Sequence, residues 1–128
     1  MFTSDAIDAL QRAAVEVAQV LGLADDWINA GPTSLLRFGL PDGFLSRATA
    51  RDYGGIVVHL ASRFDQIHFK LFAAADDRPG GKHHVDLVRL QPTAEELRLA
   101  LAWACTHDPS DAFRILAVQV LAAFGVEP

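Results

Sequence analysis

Apolar positions recur at steps of three and four along the first segment, where Ile7, Leu10, Ala14, Val17 and Leu21 trace one face of a helix from Ser4 to Leu21. Asp5 and Asp8 place negative charge at its positive end, and Gly22 stands where a left-handed C-terminal residue is favoured. The next stretch, ADDWINAGPTSLLRFGLPDGF, is dense in Gly, Pro, Asn and Asp. It predicts irregular chain with one helical turn over Thr33 to Arg37, tied to the core by Trp27, Ile28, Leu35, Leu36 and Phe44.

Between Thr49 and Ala61 the helical period fails. TARDY, a Gly-Gly turn and the β-branched run IVVHLA predict a single hairpin. A two-stranded ribbon is marginal in water by itself, so its edge is expected to pair with another chain. The remainder reads as helix. Ser62 with Asp65 opens a helix to Ala75, Lys82 to Leu90 forms a short one, and Thr93 with Glu96 makes a capping box after Pro92. Asp108-Pro109 starts the last helix, whose Phe113, Leu116, Ala117, Val120, Leu121 and Phe124 form a stripe that stops at Gly125. The fold class expected is α+β, mostly helical with one small antiparallel β-hairpin. It reads as a single domain over 1–128: an N-terminal helix and long loop (1–48), the hairpin (49–61) and a helical part (62–128).

Composition narrows the functional classes. In 128 residues, 51% are apolar and 21% charged, enough to bury a core. Eleven basic against sixteen acidic residues give a net charge of −5, and no stripe of Lys and Arg points to nucleic acid. The longest apolar stretch, AFRILAVQVLAAF, is interrupted by Arg114 and Gln119 and is too short for a membrane span. The single cysteine, Cys105, lies among Trp103, Ala104 and Thr106 and reads as a small buried hydrophobe, which together with the missing signal peptide suggests a cytoplasmic protein.

Few polar residues carry chemistry. Among five histidines only His83 has a carboxylate at helical spacing, Asp86, and no zinc pattern accompanies it. There is no nucleophile elbow, and Gly80-Gly81 lacks the spacing of a phosphate loop. What stands out is Lys70, an ammonium inside FDQIHFKLFAAA, where Phe64, Ile67, Leu71 and Ala74 make one face and Phe69, Phe72 and Ala73 cover much of the rest. Such a group must snorkel outward or meet a carboxylate, and Asp86 on the next helix lies within reach across the glycine turn. The pair has two readings: a salt bridge pinning two helices, or a polar site in which the lysine addresses an anion and the aspartate orients it.

The run GLADDWIN, then GLPDGF, then GIVVHLASRFDQIHFKLFAAADDRPGGKHHVDLVRLQPTAEELRLALAWACTHDPS resembles nucleotidyltransferase-fold proteins of the DUF6036 and abortive-infection toxin–antitoxin type, in their C-terminal half. The most specific pieces are Lys70-Leu-Phe-Ala-Ala, the turn into Lys82, Asp86-Leu87 and Thr106-His107-Asp108-Pro109-Ser110. The resemblance implies that Lys70, Lys82 and Asp86 flank a nucleotide site. It also implies a strand bearing Asp-x-Asp for magnesium, which is missing here, as if Met1-Phe2-Thr3 followed directly on that strand. No catalytic residue or metal ligand is therefore assigned within this chain, and no cofactor is expected unless a missing or partner segment supplies the carboxylates for magnesium. Two functional expectations follow: a nucleotidyltransferase-like protein inactive by itself, or a non-enzymatic interaction or dimerisation module, antitoxin-like, with a homodimer or partner chain joined through the hairpin edge.

Overall fold

The computed structural model describes residues 4–29, 31–37 and 39–128, without the side chains of Ser34 and Arg37. Met1, Phe2 and Thr3, on which part of the family comparison rests, lie outside the described residues. The chain divides into two compact units, Met1–Arg37 and Phe38–Pro128.

The first unit holds helix α1, Ser4–Leu21, and a 3₁₀ helix, Gly31–Arg37, where the sequence predicts a helical turn. Of the predicted stripe on α1, Ala14 alone is buried, joined by Ala18, while Ile7, Leu10, Val17 and Leu21 stay exposed. The expectation that Trp27, Ile28 and Leu36 anchor the loop by burial is likewise corrected, because all three are exposed. Trp27 is instead fastened through its indole Nε1–H, which donates to the Ala14 carbonyl at 2.8 Å.

The second unit is mostly helical, with a two-stranded antiparallel ribbon, and bears out the α+β class. A short helix α2, Phe44–Arg47, precedes strands β1, Thr49–Asp52, and β2, Val57–Leu60. Helices α3, Arg63–Ala75, α4, Lys82–Leu90, α5, Ala94–His107, and α6, Asp111–Ala123, complete it. Helix α3 is central and packs on α4, α5 and α6. Its Ile67 and Leu71 meet Leu87 of α4, Leu97 and Leu101 of α5 and Leu121 of α6 in one core. Full burial of each such side chain contributes about 1.5–3 kcal/mol, and Ala74, Ala100, Ala104 and Ala117 let the helices approach closely. The heptad-like spacing of Leu97, Ala100, Leu101 and Ala104 explains why α5 buries one stripe and leaves Leu99 to solvent.

The helix starts follow local chemistry. Ser62 accepts from Asp65 N–H, Thr93 and Glu96 form the full capping box, and Ser110 accepts from Phe113 N–H. The last of these corrects the predicted start at Asp108-Pro109: α6 begins three residues later because Asp108 turns its carboxylate onto Ser110 N–H at 3.0 Å, leaving Ser110 as the cap. Cys105 is half-buried against the core rather than fully enclosed.

Candidate functional site

Helix α3 points Lys70 away from the core stripe of Ile67, Leu71 and Ala74, toward α4, where Asp86 sits one residue before the buried Leu87. The turn through Gly80, at φ 74°, folds α4 back along α3 and brings the two side chains together. Lys70 Nζ donates to Asp86 Oδ2 at 2.7 Å. The hydrogen bond from Lys70 holds the Asp86 carboxyl below the usual carboxylate range against a small cost of burial, and the charges of Lys82 and Arg89 act in the same direction. The side chains are 29% and 25% exposed, so the ammonium lies at the rim of the helix pair, not at the centre of a helix buried all round.

The pair lines a shallow concavity of about 320 Å³ together with Gln66, Arg89 and Leu90. Arg89 lies one turn after Asp86 on α4, with Nη1 3.9 Å from Oδ1. The i, i+3 spacing of Asp86 and Arg89 is the signal in the sequence that points to this second cation. Of the three residues expected at the site, Lys70 and Asp86 are joined, whereas Lys82 is exposed at the start of α4 and contributes its more distant charge. Chemically the patch is one carboxylate amid three cations, able to receive an anion that displaces Asp86 from Lys70.

A second polar centre, which the sequence pattern does not disclose, lies between α2 and α3. Arg47 of α2 binds Asp65 of α3 through Nε at 3.0 Å and Nη2 at 2.6 Å, and Ser62 Oγ donates to the same carboxylate at 2.5 Å. The guanidinium also lies 4.7 Å from the centre of the Phe64 ring. Burial opposes ionisation of Asp65, but the hydrogen bonds from Arg47 and Ser62 outweigh it and keep the carboxyl below its ordinary value. Beside it, an aromatic layer between α3 and α5 surrounds Trp103 with His68, Phe69, Phe72 and His107 at centroid distances of 5.8, 5.7, 6.2 and 4.3 Å. His107 Nε2–H donates to the Gly39 carbonyl at 2.9 Å, fastening the segment before α2 to the end of α5.

Among the described residues no three His, Cys, Asp or Glu side chains converge on a metal-sized centre. Neither the His83/Asp86 spacing nor the magnesium implied by the resemblance finds a ligand set there. No described helix is long and apolar enough to cross a membrane. Comparison with protein-family models, curated proteins and solved structures finds no match for the chain.

Proposed function

We propose that this chain is a non-enzymatic interaction module that self-assembles through its β-ribbon. The observation that carries the reading is the state of that ribbon. Strands β1 and β2 pair only with each other among the described residues, and seven of their eight residues are exposed. No described helix packs broadly on them. Val57 and Leu60 keep 49% and 44% of their surface in solvent, and an exposed two-stranded ribbon with an apolar β-branched edge is a template for pairing. The predicted test is sedimentation of the full chain over a range of concentrations. The reading expects twice the mass of one chain, lost when residues 49–60 are replaced by a Gly-Ser linker of equal length while helical circular dichroism persists. A single-chain mass at every concentration sinks it.

A second reading, a nucleotide-facing site, draws support from the three cations Lys70, Lys82 and Arg89 around Asp86. Calorimetric titration with nucleoside triphosphates and magnesium tests it. Heat abolished in Lys70→Ala supports the reading, and no heat at millimolar ligand refutes it.

A further inference from the structure

The strand register decides how two copies would join, given the self-assembly proposed above. Tyr53 N–H donates to the Ile56 carbonyl at 2.9 Å, and the pairing continues as Asp52↔Val57, Arg51↔Val58, Ala50↔His59 and Thr49↔Leu60. In an antiparallel ladder hydrogen-bonded and non-hydrogen-bonded pairs alternate. Arg51/Val58 and Thr49/Leu60 therefore turn their backbone groups inside the ribbon, as Tyr53 N–H and the Ile56 carbonyl do. The outward N–H and C=O groups belong to Ala50 and Asp52 on β1 and to Val57 and His59 on β2. Gly54, at φ 89°, makes the bend between the strands, and the Tyr53–Ile56 bond across it sets this parity.

Parity restricts a closed, two-fold dimer to a few arrangements, since outward residues must face outward residues. A β1–β1 junction has three registers. Ala50 against Asp52 of the second copy, which sets Arg51 against Arg51, and Asp52 against Asp52 both put like charges directly opposite, which is destabilising. Ala50 against Ala50 needs for its outer bonds Ala48, whose N–H already donates to the Phe44 carbonyl at 2.9 Å. A β1–β2 junction is head-to-tail and generates a ring or a filament, not a two-fold dimer.

A β2–β2 junction has three registers. With His59 facing His59, its outer bonds need Ala61, whose carbonyl already accepts the Gln66 side-chain amide at 2.9 Å. With Val57 facing Val57, its outer bonds fall on Gly55 in the turn. The third register sets Val57 against His59 of the second copy, twice, and places Val58 on the two-fold axis. Four backbone hydrogen bonds then form from outward groups alone. Ile56, Val58 and Leu60 share one face of the ribbon, so this register also unites them with their three counterparts into one apolar cluster.

We infer that a second copy of this chain docks antiparallel on the outer edge of β2, with Val58 facing Val58, to give a four-stranded sheet in the order β1-β2-β2-β1. Because Val57/His59 is the hydrogen-bonded pair, Val58/Val58 is non-hydrogen-bonded, with α-carbons about 4.5 Å apart, a spacing that a disulfide tolerates. Single cysteines at positions 57, 58 and 59, each in a Cys105→Ser background, test the register under mild oxidation. Val58→Cys is expected to give a covalent dimer in high yield. Val57→Cys and His59→Cys are not, since in this register neither faces its own counterpart. Val58→Asp, which sets two carboxylates face to face, is expected to return the chain to a single-copy mass with its circular dichroism unchanged, whereas Arg51→Glu leaves the assembly intact. A doubled mass with cross-linking no better at 58 than at 57 or 59, or insensitivity to Val58→Asp, overturns the register and leaves self-assembly standing. A single-copy mass of the parent chain overturns both.

Discussion

Arg47 holds Asp65 in a two-pronged grip, at 3.0 and 2.6 Å, across eighteen residues of sequence. The carboxylate has no exposed side-chain surface while the arginine keeps 32% of its own, so the grip seals a buried charge from the outside. It ties α2, and with it the start of the ribbon, to the N-terminal turn of α3 at a point where Ser62 also caps the helix.

Removing the arginine alone strands that charge. Arg47→Ala is expected to cost about 3–5 kcal/mol, the range for breaking one side of a buried pair. The double variant Arg47→Ala/Asp65→Ala is expected to recover part of the loss, and urea unfolding of the four species of the cycle checks it. Additive losses in the double variant would contradict a buried grip.

Lys70 and Asp86 make an equally short contact in a different setting, since both side chains keep about a quarter of their surface in water. Asp86→Ala is therefore expected to cost under about 1 kcal/mol, as exposed pairs do. Thermal melts of Asp86→Ala and Arg47→Ala side by side test the contrast. A larger drop for Asp86→Ala would show that the helix pair depends on the bridge, not on Ile67, Leu71 and Leu87.

These two pairs also mark what the sequence discloses. Lys70 and Asp86 were legible because each lies on a periodic helix and the glycine turn between them is short. The helices themselves were legible from caps such as Ser62, Thr93 and Glu96, whose hydrogen bonds are made within one turn. Arg47 and Asp65 were not legible. Their meeting depends on how the chain around α2 descends onto α3, which no local periodicity encodes, and the sequence pattern shows Asp65 only as the partner of Ser62 at the start of α3. The stripe on α1 misled for the opposite reason, since a helical period shows which residues share a face but not whether anything covers it.

His68 provides a pH-dependent term. Burial against Phe64 and Trp103 pushes the imidazole below its ordinary value, against the opposing pull of its bond to the Phe64 carbonyl and the charges of Asp65 and Glu96, with Arg47 adding to the depression. A histidine whose folded-state pKa is depressed binds protons more readily when unfolded. Its contribution is present above the unfolded value of about 6.5 and is lost as pH falls through the window below it. The melting temperature is expected to drop as the pH falls below about 6.5, and to drop less in His68→Gln. An unchanged slope in the variant would place the sensitivity elsewhere.

Gln91 ends α4 at φ 50°, ψ 59°, a left-handed conformation that β-carbons resist. It is the sole non-glycine residue with positive φ among the described residues. Its backbone is held from both sides: its N–H donates to the Val88 carbonyl at 3.0 Å, and its carbonyl accepts from Arg63 Nη2 at 2.7 Å. Arg63 also takes the Leu90 carbonyl at 2.8 Å and both oxygens of Glu96, so one guanidinium clasps the end of α4 to the start of α5. The strain at Gln91 is a local cost of about 1–2 kcal/mol that glycine would not incur, offset by the greater freedom glycine has when unfolded, about 0.5–1 kcal/mol. Gln91→Gly is thus expected to stabilise by about 0.5 kcal/mol and Gln91→Val to destabilise, because a β-branched side chain fits the left-handed region worst. Urea midpoints in the order Gly, Gln, Val from high to low check the argument. A fall in stability for glycine would mean that the Gln91 side chain contributes something beyond its backbone bonds to Val88 and Arg63.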